Sequence, residues 1–130
     1  MVDAADAVFV SSVGRWDACG LWFVEDSSDP PRAVSRRVTV AEGARVFEVD
    51  GPQAWAQLCR RFSLEVTAQK RHEWYRTTGR AGRWVIPDWL RVGEVYDGVH
   101  LTAAGYLSAA TTEIPVDDDC ASVIAGWAPD

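Results

Sequence analysis

The sequence predicts an α+β fold: one or more mostly antiparallel sheets with two or three short helices, in a single domain. Three observations carry this expectation. The first half is rich in short β-type runs broken by Gly, Pro and Ser, and one stretch around Trp55 has the apolar period of a helix. Strands and helices also fail to alternate regularly, which disfavours a doubly wound parallel sheet. A chain of 130 residues, 48% hydrophobic and 25% charged, can bury one substantial core and leaves no room for a second domain.

Ala7–Val10, Leu21–Val24, Ala33–Val40 and Ala44–Val49 read as strands, separated by Gly14, Gly20, the Ser27-Ser28-Asp29-Pro30-Pro31 run and Glu42-Gly43. In the last run Arg45, Phe47 and Val49 alternate imperfectly with Val46, Glu48 and Asp50, as expected of a strand with one face partly covered. Residues 52–62 then form the clearest helix. Asp50 can cap it, Pro52 fits its first turn, and Trp55, Leu58, Cys59 and Phe62 share one face. Arg60 and Arg61 suit its C-terminal dipole.

After Leu64-Glu65-Val66, the basic segment 70–83 reads as an exposed loop because of Thr77, Thr78, Gly79 and Gly82. Trp84-Val85-Ile86 closes it as a strand, and Pro87-Asp88 starts a short helix with Trp89, Val92 and Tyr96 on one side. Asp97-Gly98 is a turn. In the strand Val99-His100-Leu101 the two apolar residues face one way and His100 the other, and Thr102 can cap a helical turn over 103–107. Ile114-Pro115-Val116 fits a sheet edge, since its proline cannot donate. Asp117 to Asp119 form a turn, and 121–127 a final strand.

The net charge of −6 argues against a general nucleic-acid binder, which neutralises phosphates with a basic face. Segment 70–83 departs from that balance. Its five basic residues against one acid give +4, and the other eight against eighteen give −10. Arginines interleaved with Trp74, Tyr75 and Trp84 can grip phosphates while rings stack on bases, so Arg76, Arg80 and Arg83 are candidate ligands for an anionic or nucleotide small molecule. Gly79-Arg80-Ala81-Gly82 lacks the Lys-Ser/Thr and helix of a phosphate loop.

His100 near Asp97, walled by Tyr96 and Tyr106, is a candidate acid/base pair, because a carboxylate beside an imidazole fixes its tautomer. No Gly-x-Ser-x-Gly elbow is present and only two histidines could serve a triad, so nothing supports a serine hydrolase. Cys19, Cys59 and Cys120 have no Cys-x-x-Cys spacing and no His at ligand spacing, so reduced structural thiols are expected and no metal site. His72-Glu73 has no second His or third carboxylate at ligand spacing, and reads as a solvated pair. No apolar run reaches the roughly 18 residues of a membrane span, and Met1-Val2-Asp3-Ala4-Ala5-Asp6 lacks the basic region of a signal peptide; the expectation is a cytoplasmic protein with no membrane partner.

Gly20-Leu21-Trp22, Ala44 to Asp50 with Trp55 and Leu58, Pro87-Asp88-Trp89, Tyr96-Asp97-Gly98-Val99-His100-Leu101-Thr102, Gly105-Tyr106-Leu107 and Gly126-Trp127 together resemble a group of small uncharacterised bacterial proteins. That resemblance implies an architecture more than an activity. The Gly20-Leu21-Trp22-Phe23 strand also resembles the Gly-Leu-Tyr-Phe strand of ADP-ribosyltransferase folds, which bind NAD between two small sheets. This second resemblance implies that Trp22 and either Tyr96 or Tyr106 flank the nicotinamide, that an arginine of the 71–83 segment contacts the pyrophosphate, and that a late glutamate acts on the ribose. Glu113 is the only late glutamate, and its neighbours Thr112 and Ile114 depart from the family's pattern. The function this resemblance implies is that of a nucleotide-cleft protein of ADP-ribosyltransferase-like type, binding or acting on NAD or a related nucleotide. The alternatives are a non-enzymatic protein-binding module, such as a partner of a toxin or defence system, and a small-molecule enzyme using His100 as acid/base.

Overall fold

The computed structural model describes residues 39–124 of the chain. Within them the amphipathic stretch after Asp50 forms helix α1 (Pro52–Arg61), and the other elements pack on it. Pro52 fixes the first turn, as expected, but the residue at the cap is Gly51 in an extended conformation, with no side-chain bond from Asp50. Leu58 and Cys59 are fully buried, Phe62 nearly so, and Trp55 half-buried. Arg60 and Arg61 occupy the last turn.

Two sheets lie against α1. The smaller pairs β1 (Val46–Val49) with β4 (Gly98–Leu101) in parallel, Phe47 opposite Val99 and Val49 opposite Leu101. Those four side chains pack toward the helix, while Glu48 and His100, which face each other in register, lie on the other face. The larger sheet has the order β2 (Ser63–Glu65), β3 (Arg83–Pro87), β6 (Cys120–Ser122), β5 (Ile114–Pro115). Its outer pairings, β2–β3 and β5–β6, are antiparallel and its central β3–β6 pairing is parallel. The expected mostly antiparallel sheet is therefore corrected to one parallel pair and one mixed sheet. Pro115 stands on an edge strand, as its missing donor requires.

The fold has four helices among the described residues, not two or three. Helix α2 (Thr67–Thr78) replaces most of the expected loop, α3 (Trp89–Val95) follows β3, and α4 (Ala103–Ala109) follows β4. Asp88 caps α3 by accepting from the amides of Leu90 and Arg91, and the Thr102 hydroxyl caps α4 by accepting from Gly105 N–H at 2.9 Å. Gly105 is required at that place. A Cβ there would stand 2.5 Å from the carbonyl oxygen of Val49, so only glycine lets α4 cross the end of β1.

Four apolar clusters fill the interior. Ala56 of α1 joins Val49, Ala109, Ile114 and Ile124; Leu58 and Phe62 join Val92 of α3; Cys59 joins Val85, Val116 and Cys120. The fourth lies on the far side of the larger sheet, where Trp74 of α2 meets Trp84, Ala121 and Val123, the two indoles edge to face at 5.2 Å. The larger sheet is thus covered by α1 on one face and α2 on the other, and α1 lies between the two sheets. The strands read at 7–10 and 21–24, most of that at 33–40, and the end of that at 121–127 lie outside the described residues.

Leu58 is enclosed by Phe62, Val92 and the inner face of the smaller sheet, so Leu58→Ala should cost about 2 to 5 kcal/mol through lost transfer energy and a cavity. Urea unfolding measures it, and a midpoint equal to that of the parent protein would contradict this packing.

Candidate functional site

The segment expected to grip an anion is built otherwise. Arg80, just past the left-handed Gly79 that ends α2, folds back over Gly82 and lays its guanidinium 4.9 Å from the Trp84 ring. The same group pairs with Glu113 at 3.1 Å and donates to the carbonyl oxygens of Arg83 and Asp119. Arg83 makes a two-pronged contact with Glu65, at 2.9 and 3.2 Å, and this holds the Glu65 carboxyl below the usual carboxylate range. Two of the three arginines read as anion ligands are therefore occupied by carboxylates of the chain itself. The third, Arg76, is exposed on α2. Glu113, read as the catalytic glutamate, serves as the counter-ion of Arg80.

The acid/base pair also changes partner. His100 points away from the core face of Val99 and Leu101, as strand alternation requires, but its Nδ1 lies 3.3 Å from Glu48 Oε2 across the parallel pairing. Asp97 is held instead by Arg45. It accepts from the Arg45 amide at 2.8 Å and from the guanidinium at 3.4 Å, while its own amide donates to the Arg45 carbonyl at 2.7 Å. These bonds, the backbone one foremost, keep the Asp97 carboxyl below its usual range. Asp97 therefore fastens the entry of β4 to β1. Chemically, the Glu48–His100 contact can orient an imidazole for proton transfer, at a distance near the long limit of a hydrogen bond.

The two tyrosines proposed as aromatic walls have different surroundings. Tyr96 packs its ring on Phe47 and Phe62, and its hydroxyl accepts from Arg61 at 2.6 Å, so it closes the core at the end of α3. Tyr106 is exposed on α4. Trp22 lies outside the described residues.

A polar contact that the sequence reading missed crosses from α1 to β6. The Trp55 indole donates to the Ser122 hydroxyl at 2.9 Å, and Ser122, completely buried, also contacts the Cys59 thiol. Burial pushes that thiol up to about 11, which keeps it protonated at neutral pH. The alternation that placed His100 on the outer face also places Glu48 there, opposite Phe47 and Val49; that signal was available. Nothing local in the sequence marks the pairing of Ser122 with Trp55.

Among the described residues, no group of three or more His, Cys, Asp or Glu side chains could hold a metal ion, and no helix is long and apolar enough to cross a membrane. No family model, curated protein or solved structure matches the chain.

Because the Asp97 carboxyl titrates below its ordinary value in the folded protein, it contributes stability above about pH 4 that is lost as pH falls through the depressed value. Asp97→Asn should therefore lower the thermal midpoint at neutral pH modestly and flatten its decline in acid. Superimposable midpoint–pH curves for variant and parent would contradict the coupling.

Proposed function

We propose that the chain is a non-enzymatic protein-binding module whose contact surface is the outward side of α3 and α4. One observation carries this reading: large apolar side chains stand in solvent on both helices, Leu90 on α3, Tyr106 and Leu107 on α4, with Leu90 68% and Leu107 81% exposed. Trp89, part of its ring resting on Trp55, borders them. Each helix spends its inner face on the core, through Val92 in one case and Gly105 and Ala109 in the other. Single exposed leucines are ordinary, but aromatic and aliphatic pairs on two short helices are the kind of anchors that protein interfaces bury. The nucleotide-cleft reading has less support, because Arg80, Arg83 and Glu113 are already engaged with one another's surroundings.

Two measurements test the reading together. Calorimetric titration with NAD and with ADP-ribose should give no binding heat. A photoreactive side chain placed at position 90 or 107, in cells that make the protein, should give a discrete protein adduct. With the label at position 107, Leu90→Asp should remove that adduct while the thermal midpoint stays near that of the parent. Saturable NAD binding, or an adduct indifferent to Leu90→Asp, would overturn it.

A further inference from the structure

Helix α2 presents a face that neither the core nor the proposed contact surface uses. At 3.6 residues per turn, Arg71, Tyr75, His72 and Arg76 follow one another around about 140° of the helix, with Arg71 bordering the side that buries Trp74 and the other three turned about 100° or more away from it. All four are exposed, Tyr75 at 54%. The acids nearby are committed elsewhere: Glu73 pairs with Lys70 at 2.8 Å, Glu65 with Arg83 and Glu113 with Arg80. Among the described residues neither Arg71 nor Arg76 has a carboxylate partner. In a chain of net charge −6, this leaves two guanidinium groups flanking an exposed phenol ring and an imidazole.

We propose that this face of α2 docks an extended acidic segment of a partner protein, with Arg71 and Arg76 each taking a carboxylate and Tyr75 covering the apolar stem between them. Five residues of helix separate the two arginines by about 7.5 Å along the axis and about 140° around it, so their long side chains reach a bound segment from either side of Tyr75. An extended strand with alternate carboxylates about 6.8 Å apart offers them partners two or four residues apart. Guanidinium forks bind carboxylates in a two-pronged manner, as Arg83 already does with Glu65. A nucleic acid fits less well. Two arginines neutralise few phosphates, and a single exposed tyrosine is a small stacking platform for bases. The inference rests on the reading of the chain as a protein-binding module but uses a different helix, so its test leaves positions 90 and 107 untouched.

Fluorescence anisotropy of three labelled probes tests it with the full chain: a short peptide alternating Glu and Ala, the same peptide with Gln for Glu, and a short oligothymidylate. The Glu peptide should bind, lose affinity as salt is raised, and bind about tenfold more weakly to the double variant Arg71→Gln/Arg76→Gln, the loss expected for two exposed ion pairs. The Gln peptide and the oligothymidylate should bind much more weakly than the Glu peptide. Both substitutions keep good helix formers on an exposed face, and an unchanged far-ultraviolet circular dichroism spectrum verifies that α2 persists. Absence of Glu-peptide binding, affinity unchanged by the double variant, equal affinity for the Gln peptide, or preference for the oligothymidylate each overturns the proposal. If the Glu peptide fails while the adduct at position 90 or 107 still forms, the docking face is lost and the protein-binding reading survives.

Discussion

The fold depends on one broad face of a single helix meeting several elements at once. Within that face Ala56 points toward the end of the smaller sheet, Leu58 toward α3, and Cys59 and Trp55 toward the larger sheet. A two-stranded parallel pair has too little area to be stable alone, and parallel strands normally need cover. Here α1 supplies that cover to β1 and β4 and at the same time floors the four-stranded sheet. The Trp55–Ser122 hydrogen bond adds a directional constraint to this packing. It satisfies a buried hydroxyl and an indole N–H together, and so fixes the position of α1 along β6.

The elements that the sequence revealed are those whose local pattern survives in the folded state. Trp55, Leu58, Cys59 and Phe62 have helical spacing because one helix face meets the core, and Asp88 and Thr102 stand at helix starts because their side chains accept amide bonds there. Helix α2 was hidden for the opposite reason. Only Trp74 of its twelve residues is buried, so it shows no apolar period. Its end also imitates a loop: Thr77 and Thr78 donate their hydroxyls back to the carbonyls of Glu73 and Trp74, and Gly79 supplies the left-handed cap. Strand direction was equally invisible. Nothing local marks β1 as the parallel partner of β4, because the pairing is decided by where α1 and the elements after it return the chain.

The same limit applies to the candidate site. Residue types and faces were legible, as with His100 turned outward from Val99 and Leu101, whereas partners were not. Each expected role depended on a neighbour distant in sequence: Asp97 found Arg45, Arg80 found Glu113, Arg83 found Glu65, and His100 found Glu48. These polar contacts lie at or near the surface, where each contributes little to stability, so their main consequence is for function. They engage Arg80, Arg83 and Glu113, three of the residues expected at a nucleotide, while Leu90 of α3 and Leu107 of α4 stand exposed.

If α1 unites the two sheets, their backbone amides should be released together. Native-state hydrogen exchange of the amides in α1, β1, β4, β3 and β6 is the most direct measurement of that claim. The account predicts that the slowest-exchanging amides of all five elements converge on one opening free energy, equal to that of global unfolding. A β1–β4 pair that opens at much lower free energy while α1 and the larger sheet stay protected would contradict it.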